Sequence, residues 1–255
     1  MFFLFVGIVS SSDDTVAVKP NSVLELQFQQ PISDYVGDNA LDPFAGGLFE
    51  QNQGLDEILQ AIMVAKDDND IKGISINNNF IMAGLAQTQA IRKALHEFKE
   101  SGKFIYTYGD FYMQKDYYLA SVADSVFLNP VGVLDFRGLS SEVLFFKDLQ
   151  EKTGVKLEVI RHGKYKSAVE PFIANEMSDA NRKQIKELIG SLWNSMVDDI
   201  SAGRNISAEN LNMIADTLGG RSPEYALNSG LIDEIAFYDQ YEGKLRNALE
   251  LGANE

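Results

Sequence analysis

Ile71-Lys72-Gly73-Ile74-Ser75-Ile76, then Leu85 to Glu100, then Phe104-Ile105-Tyr106-Thr107-Tyr108 read in succession as strand, helix and strand. The first and third stretches are short apolar and aromatic runs bounded by polar residues, the pattern of strands in a sheet. Between them the apolar positions repeat on one face of a helix, and Gly102 ends it.

The same alternation extends in both directions. Upstream, Val23-Leu24-Glu25-Leu26-Gln27-Phe28 alternates like a half-buried strand stopped by Pro31. Residues 33 to 54, rich in Asp, Gly, Asn and Pro, form a loop before the helical pattern of Leu55, Ile58, Leu59, Ile62 and Met63. Downstream, Tyr117 to Ala123 reads as a short helix, Ser125 to Leu128 as a strand, and Val143 to Lys152 as a helix capped by Gly154. Lys156 to Ile160 reads as the next strand. Ser178 caps a long helix reaching about Ala202, Ser207 caps another, and Ser222-Pro223-Glu224 starts a short one. Gly230 to Asp233 turns into a last apolar segment, followed by a helix over Gln240 to Leu251. Repeated strand-helix units of this kind predict an α/β fold with a mainly parallel sheet covered by helices.

With 255 residues, 45% of them hydrophobic, the chain can bury one large core or two small ones, and one domain is the simpler reading. Its 22 basic against 37 acidic residues, a net charge of -15, argue against a nucleic-acid partner. The chain has no cysteine, so no disulfide and no thiolate nucleophile. His96 and His162 are its only histidines, too few for a histidine-based metal site. The apolar run Met1 to Val9 is well short of the roughly 20 residues of a spanning helix and lacks a basic leader. It reads as a severed anchor, with a buried first strand or a disordered start as the alternatives. The resulting boundaries are 1–9 anchor remnant, 10–21 linker, 22–237 α/β domain and 238–255 terminal helix.

The segment Tyr165-Lys166-Ser167-Ala168-Val169-Glu170-Pro171-Phe172 is flanked upstream by Arg161-His162-Gly163-Lys164 and downstream by Met177, Ser178, Asp179 and Arg182. With Tyr117-Tyr118-Leu119-Ala120-Ser121 and Asn129-Pro130, it closely resembles the amino-terminal half of long-form signal peptide peptidase A, the protease IV family. The resemblance covers roughly residues 20 to 240. It implies a crotonase-like or Clp-protease-like fold and a serine/lysine endopeptidase with Lys166 as general base. A lysine can take a serine proton only as the neutral amine, so burial or a nearby cation must destabilise its ammonium. The apolar run ahead of Lys166, with Arg161 and Lys164 beside it, offers a partly buried, electropositive setting; Lys164 itself reads as exposed or substrate-facing. Judged by residue type alone, a lysine is ordinarily a solvated surface group.

No Gly-x-Ser-x-Gly or Ser-x-x-Lys box is present. In the family's catalytic half a serine precedes two glycines at a fixed distance before Asn-Pro. Counting back from Asn129-Pro130 puts Gln114 at that position, with Lys115 and Asp116 in place of the glycines. The resemblance therefore implies that the serine is supplied by a missing second half. It also implies an amino-terminal membrane anchor, cleaved signal peptides as apolar substrates, a homo-oligomer, and a location on the outer side of a bacterial inner membrane; no cofactor and no metal are implied. Asn78, Asn79 and Gly84 lie in the loop where the family contacts peptide; an ordinary turn is the equal alternative. Phe111, Tyr112, Met113 and Tyr117 are further candidates for groove lining, against the commoner role of core.

Other hydroxyls carry less support. Ser121 reads as a small packing residue, Ser140 and Ser141 as N-caps before Glu142, and Ser167 as pointing away from Lys166. His96 reads as a surface or boundary residue and His162 as lining the groove near Lys166, while Glu170 is placed to hold the loop by a hydrogen bond. Two other function classes remain open: a non-catalytic peptide-binding or scaffold domain, and a crotonase-like acyl-thioester enzyme.

Overall fold

Strand β1 (Ser22–Leu26) is apolar at three of its five positions and buried at all but the first, and it lies at one edge of a parallel sheet. The computed structural model describes residues 18–36, 53–77, 80–155, 157–160, 162–163 and 165–251. The expectations for the anchor, for most of the linker and for Asn78, Asn79, Arg161 and Lys164 fall outside those residues. After β1 the chain makes a small two-stranded pair, β2 (Ile32–Ser33) with β3 (Gln53–Gly54). Helix α1 (Leu55–Asp67), β4 (Ile71–Asn77), α2 (Leu85–Lys99), β5 (Phe104–Tyr112), α3 (Gln114–Ala120) and β6 (Ser125–Leu134) follow. Helices α4 (Lys147–Thr153), α5 (Glu170–Ile173), α6 (Asp179–Arg204), α7 (Ala208–Asp216) and α8 (Pro223–Asn228) lead to β7 (Glu234–Ile235) and α9 (Tyr238–Ala248).

The five-stranded sheet has the order β1-β4-β5-β6-β7, and every neighbouring pair is parallel. Strands buried on both faces need apolar residues at successive positions, and β4 has them: Gly73 to Ile76 are all buried. Its polar member, Ser75, shares a 2.7 Å hydrogen bond with the Tyr241 hydroxyl of α9. In register with Ser75 and Tyr106, this face continues to Tyr108 and Phe127, and α9 covers it with Tyr241 and Leu245. The ring of Tyr241 lies 5.3 Å from that of Tyr108 in a tilted contact and 5.2 Å from that of Phe127 in an edge contact, arrangements that add attraction beyond buried area.

The chain divides into two compact units. The first comprises residues 1–137 and 199–255 and holds the sheet; the second is Gly138–Asp198. In the first unit, Arg92 of α2 is buried yet fully engaged, donating to the carbonyls of Tyr118 and Asp199 and to the Ser121 hydroxyl. Gly203, in the last turn of α6, passes so close to α3 that a Cβ there would lie 2.6 Å from the Ser121 carbonyl oxygen. Arg204 anchors the far edge of the sheet: its guanidinium makes 2.7 and 2.9 Å bonds to Asp233, which accepts the Val126 amide.

The second unit has its own small set of contacts. Phe146 stacks on Phe172, its amide donating to the Pro171 carbonyl. Glu170 is buried and accepts hydrogen bonds from the Ser178 amide and hydroxyl and from the Asn181 side chain, so it does hold the loop. Ser178 caps α6 through the Asn181 amide, as expected. Three local expectations fail here. Leu157 to Ile160 belongs to no strand, Lys156 being outside the described residues. Ile160 is fully exposed, and without a neighbouring strand its backbone gains no ladder. The helix expected from Val143 begins at Lys147, so Ser140 and Ser141 cap nothing. Its far end is as expected, with Gly154 in the left-handed conformation.

Candidate functional site

Lys166 follows a turn in which its amide donates to the carbonyl of Gly163, whose positive φ of 99° suits glycine. It lines an open pocket of about 450 Å³ with Ile160, His162, Tyr165, Ser167, Ala168, Val169 and Gln184. The expected partly buried setting is not found: Lys166, Tyr165 and His162 are exposed, because the apolar run before them is not packed into a sheet. His162 does share the pocket with Lys166. Ser167 lines it as well.

Gln114 opens α3 in the first unit, and its Oε1 accepts the Arg137 amide at 3.0 Å. The next two residues tie down the loop after β4. Lys115 Nζ donates to the Ala83 carbonyl, and Asp116 Oδ1 accepts the Ile81 amide at 2.6 Å. Asp116 is buried, and its Oδ2 has no hydrogen-bond partner among the described residues. Burial pushes its carboxyl up to about 6, against the opposing pull of the Ile81 amide and of Lys115. Gly84, the N-cap of α2, donates its amide to Gln87 Oε1, the helix closing on its own side chain. Tyr112 and Tyr117 are core residues, whereas Phe111 and Met113 are more than a third exposed. Ser121 is fully buried among hydrogen bonds to Arg92 and Tyr118, a structural role, and His96 is exposed.

A second pocket, about 600 Å³, opens at the carboxyl ends of β1 and β4, beside the second half of β5, a region where parallel sheets commonly bind ligands. Its described lining is Gln27, Phe28, Gln29, Asn77, Phe80, Met82, Tyr108, Asp110 and Tyr238. The Asn129-Pro130 step lies behind two of these residues, Tyr108 and Asp110. Asn129 Oδ1 accepts the Val131 amide, and the register between β5 and β6 slips here. This turns Asn129 Nδ2 back to the Tyr108 hydroxyl and to Asp110 Oδ1, at 3.0 and 2.7 Å. The Tyr108 hydroxyl also donates to Asp110 Oδ1, and burial together with that carboxylate pushes the phenol up to about 12.

The model of Peptidase family S49 matches residues 97–252, which include Gln114, Lys166 and the whole second unit. The chain belongs to peptidase family S49. It is 41% identical to Protease 4 of Salmonella typhi over 194 residues, covering 73% of this chain and 31% of that protein. Protease 4 of Haemophilus influenzae is 37% identical over 187 residues, 70% of this chain and 30% of the relative. A chloroplastic serine protease SPPA of Arabidopsis thaliana is 25% identical over 232 residues, 91% of this chain and 33% of its own. The chain thus spans about a third of the length of these relatives. Its parallel five-stranded α/β architecture is consistent with the crotonase-like and Clp-like fold expected of S49 peptidases. Sequence reading missed the pocket at the strand ends. Tyr108-Gly109-Asp110 directly after a buried strand run was the available signal. It also missed the buried Asp116, which the adjoining Tyr117-Tyr118-Leu119 run marks as lying on an apolar helix.

Proposed function

We propose that this S49 chain is the lysine-bearing half of a serine endopeptidase, with Lys166 as general base for a serine outside these 255 residues. The observation that carries the proposal is the Tyr165–Phe172 motif with Lys166 on an accessible pocket wall, while a glutamine engaged in a structural hydrogen bond holds the counted nucleophile position. An amide cannot attack a peptide carbonyl as a serine does. In the proposed reaction neutral Lys166 accepts the serine proton during attack and returns it to the leaving amine. Water then hydrolyses the acyl-enzyme. Packing of the serine-bearing half over the pocket would withdraw the lysine from water, the change that favours a neutral amine.

The substrates of this reading are cleaved signal peptides. The setting is the outer face of a bacterial inner membrane, with attachment through the amino-terminal residues and assembly into a homo-oligomer. Among the described residues no helix is long and apolar enough to cross a membrane. The test is Lys166→Ala and Lys166→Arg, made in this chain and combined with the serine-bearing half. Both should lower turnover of an apolar fluorogenic peptide by about a hundredfold to ten-thousandfold, the usual cost of losing a general base. Arginine fails as well because it stays protonated. Lys152→Ala, on exposed α4, serves as control. Near-normal turnover in Lys166→Ala, with unchanged thermal unfolding, would overturn the assignment.

A further inference from the structure

The chain from Leu157 to Phe172 loops around Lys166, and its described residues belong to no strand. Loops whose ends lie close together keep a defined shape through local contacts. Here the two ends meet on one side chain. Gln150, in the middle of α4, donates Nε2 to the Phe172 carbonyl at 2.8 Å and accepts the Leu157 amide on Oε1 at 3.2 Å. One end of the loop offers an N–H and the other a C=O. A primary amide accepts the first and donates to the second, whereas a carboxylate or an ammonium serves only one of them. Helix α4 is itself fixed at this neck, because the Phe146 amide at its start donates to the Pro171 carbonyl at 2.6 Å. Glu170 fixes the other side of the Lys166 turn. Its amide donates to the carbonyl of Ser167 at 2.9 Å, and its buried carboxylate takes the Ser178 amide, the Ser178 hydroxyl and Asn181 Nδ2. A turn further along α6, Gln184 lines the same pocket as Lys166. All these contacts lie within the second unit.

We propose that Gln150 is a positioning residue for Lys166, closing the neck of its loop while Glu170 fixes the turn to α6. This role deepens the reading of Lys166 as general base and rests on it. A general base acts within hydrogen-bond reach of the proton it takes, and a displacement of about 1 Å can cost about a hundredfold in rate. The lysine side chain has many rotamers of its own, so the backbone that carries it must be the fixed part. Leu157 and Ile160 are exposed, and that side of the loop gains no order from a core. With the neck opened, the amine would keep its chemistry and lose its place.

Two readouts separate positioning from folding. In the chain alone, hydrogen exchange of a fragment spanning Tyr165 to Phe172 should quicken about tenfold in Gln150→Ala, the scale of two lost hydrogen bonds. Gln150→Glu keeps an acceptor for the Leu157 amide but sets a carboxylate against the Phe172 carbonyl, and should quicken it as much. Thermal unfolding should stay close to wild type, since α4 has no buried residue. In combination with the serine-bearing half, both variants should lower kcat for the apolar fluorogenic peptide about tenfold to a hundredfold while KM changes less than about twofold, the pattern of a group needed for the chemical step and not for binding. Lys152→Ala, on the same helix, should move neither readout. Unchanged exchange overturns the neck, and faster exchange with unchanged kcat overturns the positioning role; in both cases Lys166→Ala decides the base assignment separately. A rise in KM that accounts for the lost activity, or a large fall in melting temperature, overturns it as well by showing a binding or a structural role. If Lys166→Ala keeps turnover, or the wild-type halves together have none, the base reading falls and the positioning role with it.

Discussion

Asp116 is a buried carboxyl that fastens the loop after β4 by accepting the Ile81 amide. Its folded-state pKa of about 6 lies above the ordinary carboxylate value of about 4. The folded state therefore holds its proton more tightly than the unfolded chain does. The associated stability is fully present below pH about 4, declines as pH rises through about 6, and stays lost above it. Asp116→Asn keeps an oxygen for the Ile81 amide and removes the charge. Denaturant unfolding between pH 4 and 8 should show the wild type losing on the order of 2–3 kcal/mol relative to the variant across that window. Parallel curves for the two proteins would contradict the buried-charge account. At this scale the motif around Lys166 was enough to read the family from the sequence, while the burial of individual side chains was not legible. The exposure of Lys166 and the burial of Asp116 both depend on tertiary neighbours, which residue type does not specify.

The elements of the sheet were readable because parallel strands and their helices carry strong apolar periodicity, and β4, α2 and β5 start where that pattern places them. Extensions were not: β5 runs on to Tyr112 and β6 to Leu134, across the Asn129-Pro130 irregularity that reads as an end. The Leu157–Ile160 run has strand composition but no partner strand, and pairing is a property of two segments. Helix α6 provides a test with two glycines. A methyl at Gly203 would meet the Ser121 carbonyl oxygen at 2.6 Å and the Arg92 guanidinium at 3.0 Å, whereas a methyl at Gly190 meets nothing within 4 Å. Gly203→Ala should cost about 1–3 kcal/mol through overpacking. Gly190→Ala should add up to about 1 kcal/mol to the stability of the helix around it. Thermal unfolding of the two variants should shift in opposite directions; equal shifts would mean that the Gly203 contact is not a constraint.

For the whole molecule, the proposed division of the catalytic pair predicts that the chain by itself neither cleaves apolar peptides nor reacts with a serine-directed fluorophosphonate. Mass spectrometry after labelling is the check. A modified serine within these 255 residues, with turnover abolished, would relocate the nucleophile into this chain. The sheet also sets an order of events during synthesis. Ser75 and Tyr241, which meet across the covered face, are 166 residues apart in the chain. At about 5–20 residues per second, the ribosome needs on the order of ten seconds to deliver α9 after β4. Until then the face carrying Tyr106, Tyr108 and Phe127 waits uncovered, and β6 lacks its last neighbour, β7. Such a delay makes the nascent chain a natural client for holdase chaperones, and codon choice between Phe127 and Tyr241 a determinant of yield.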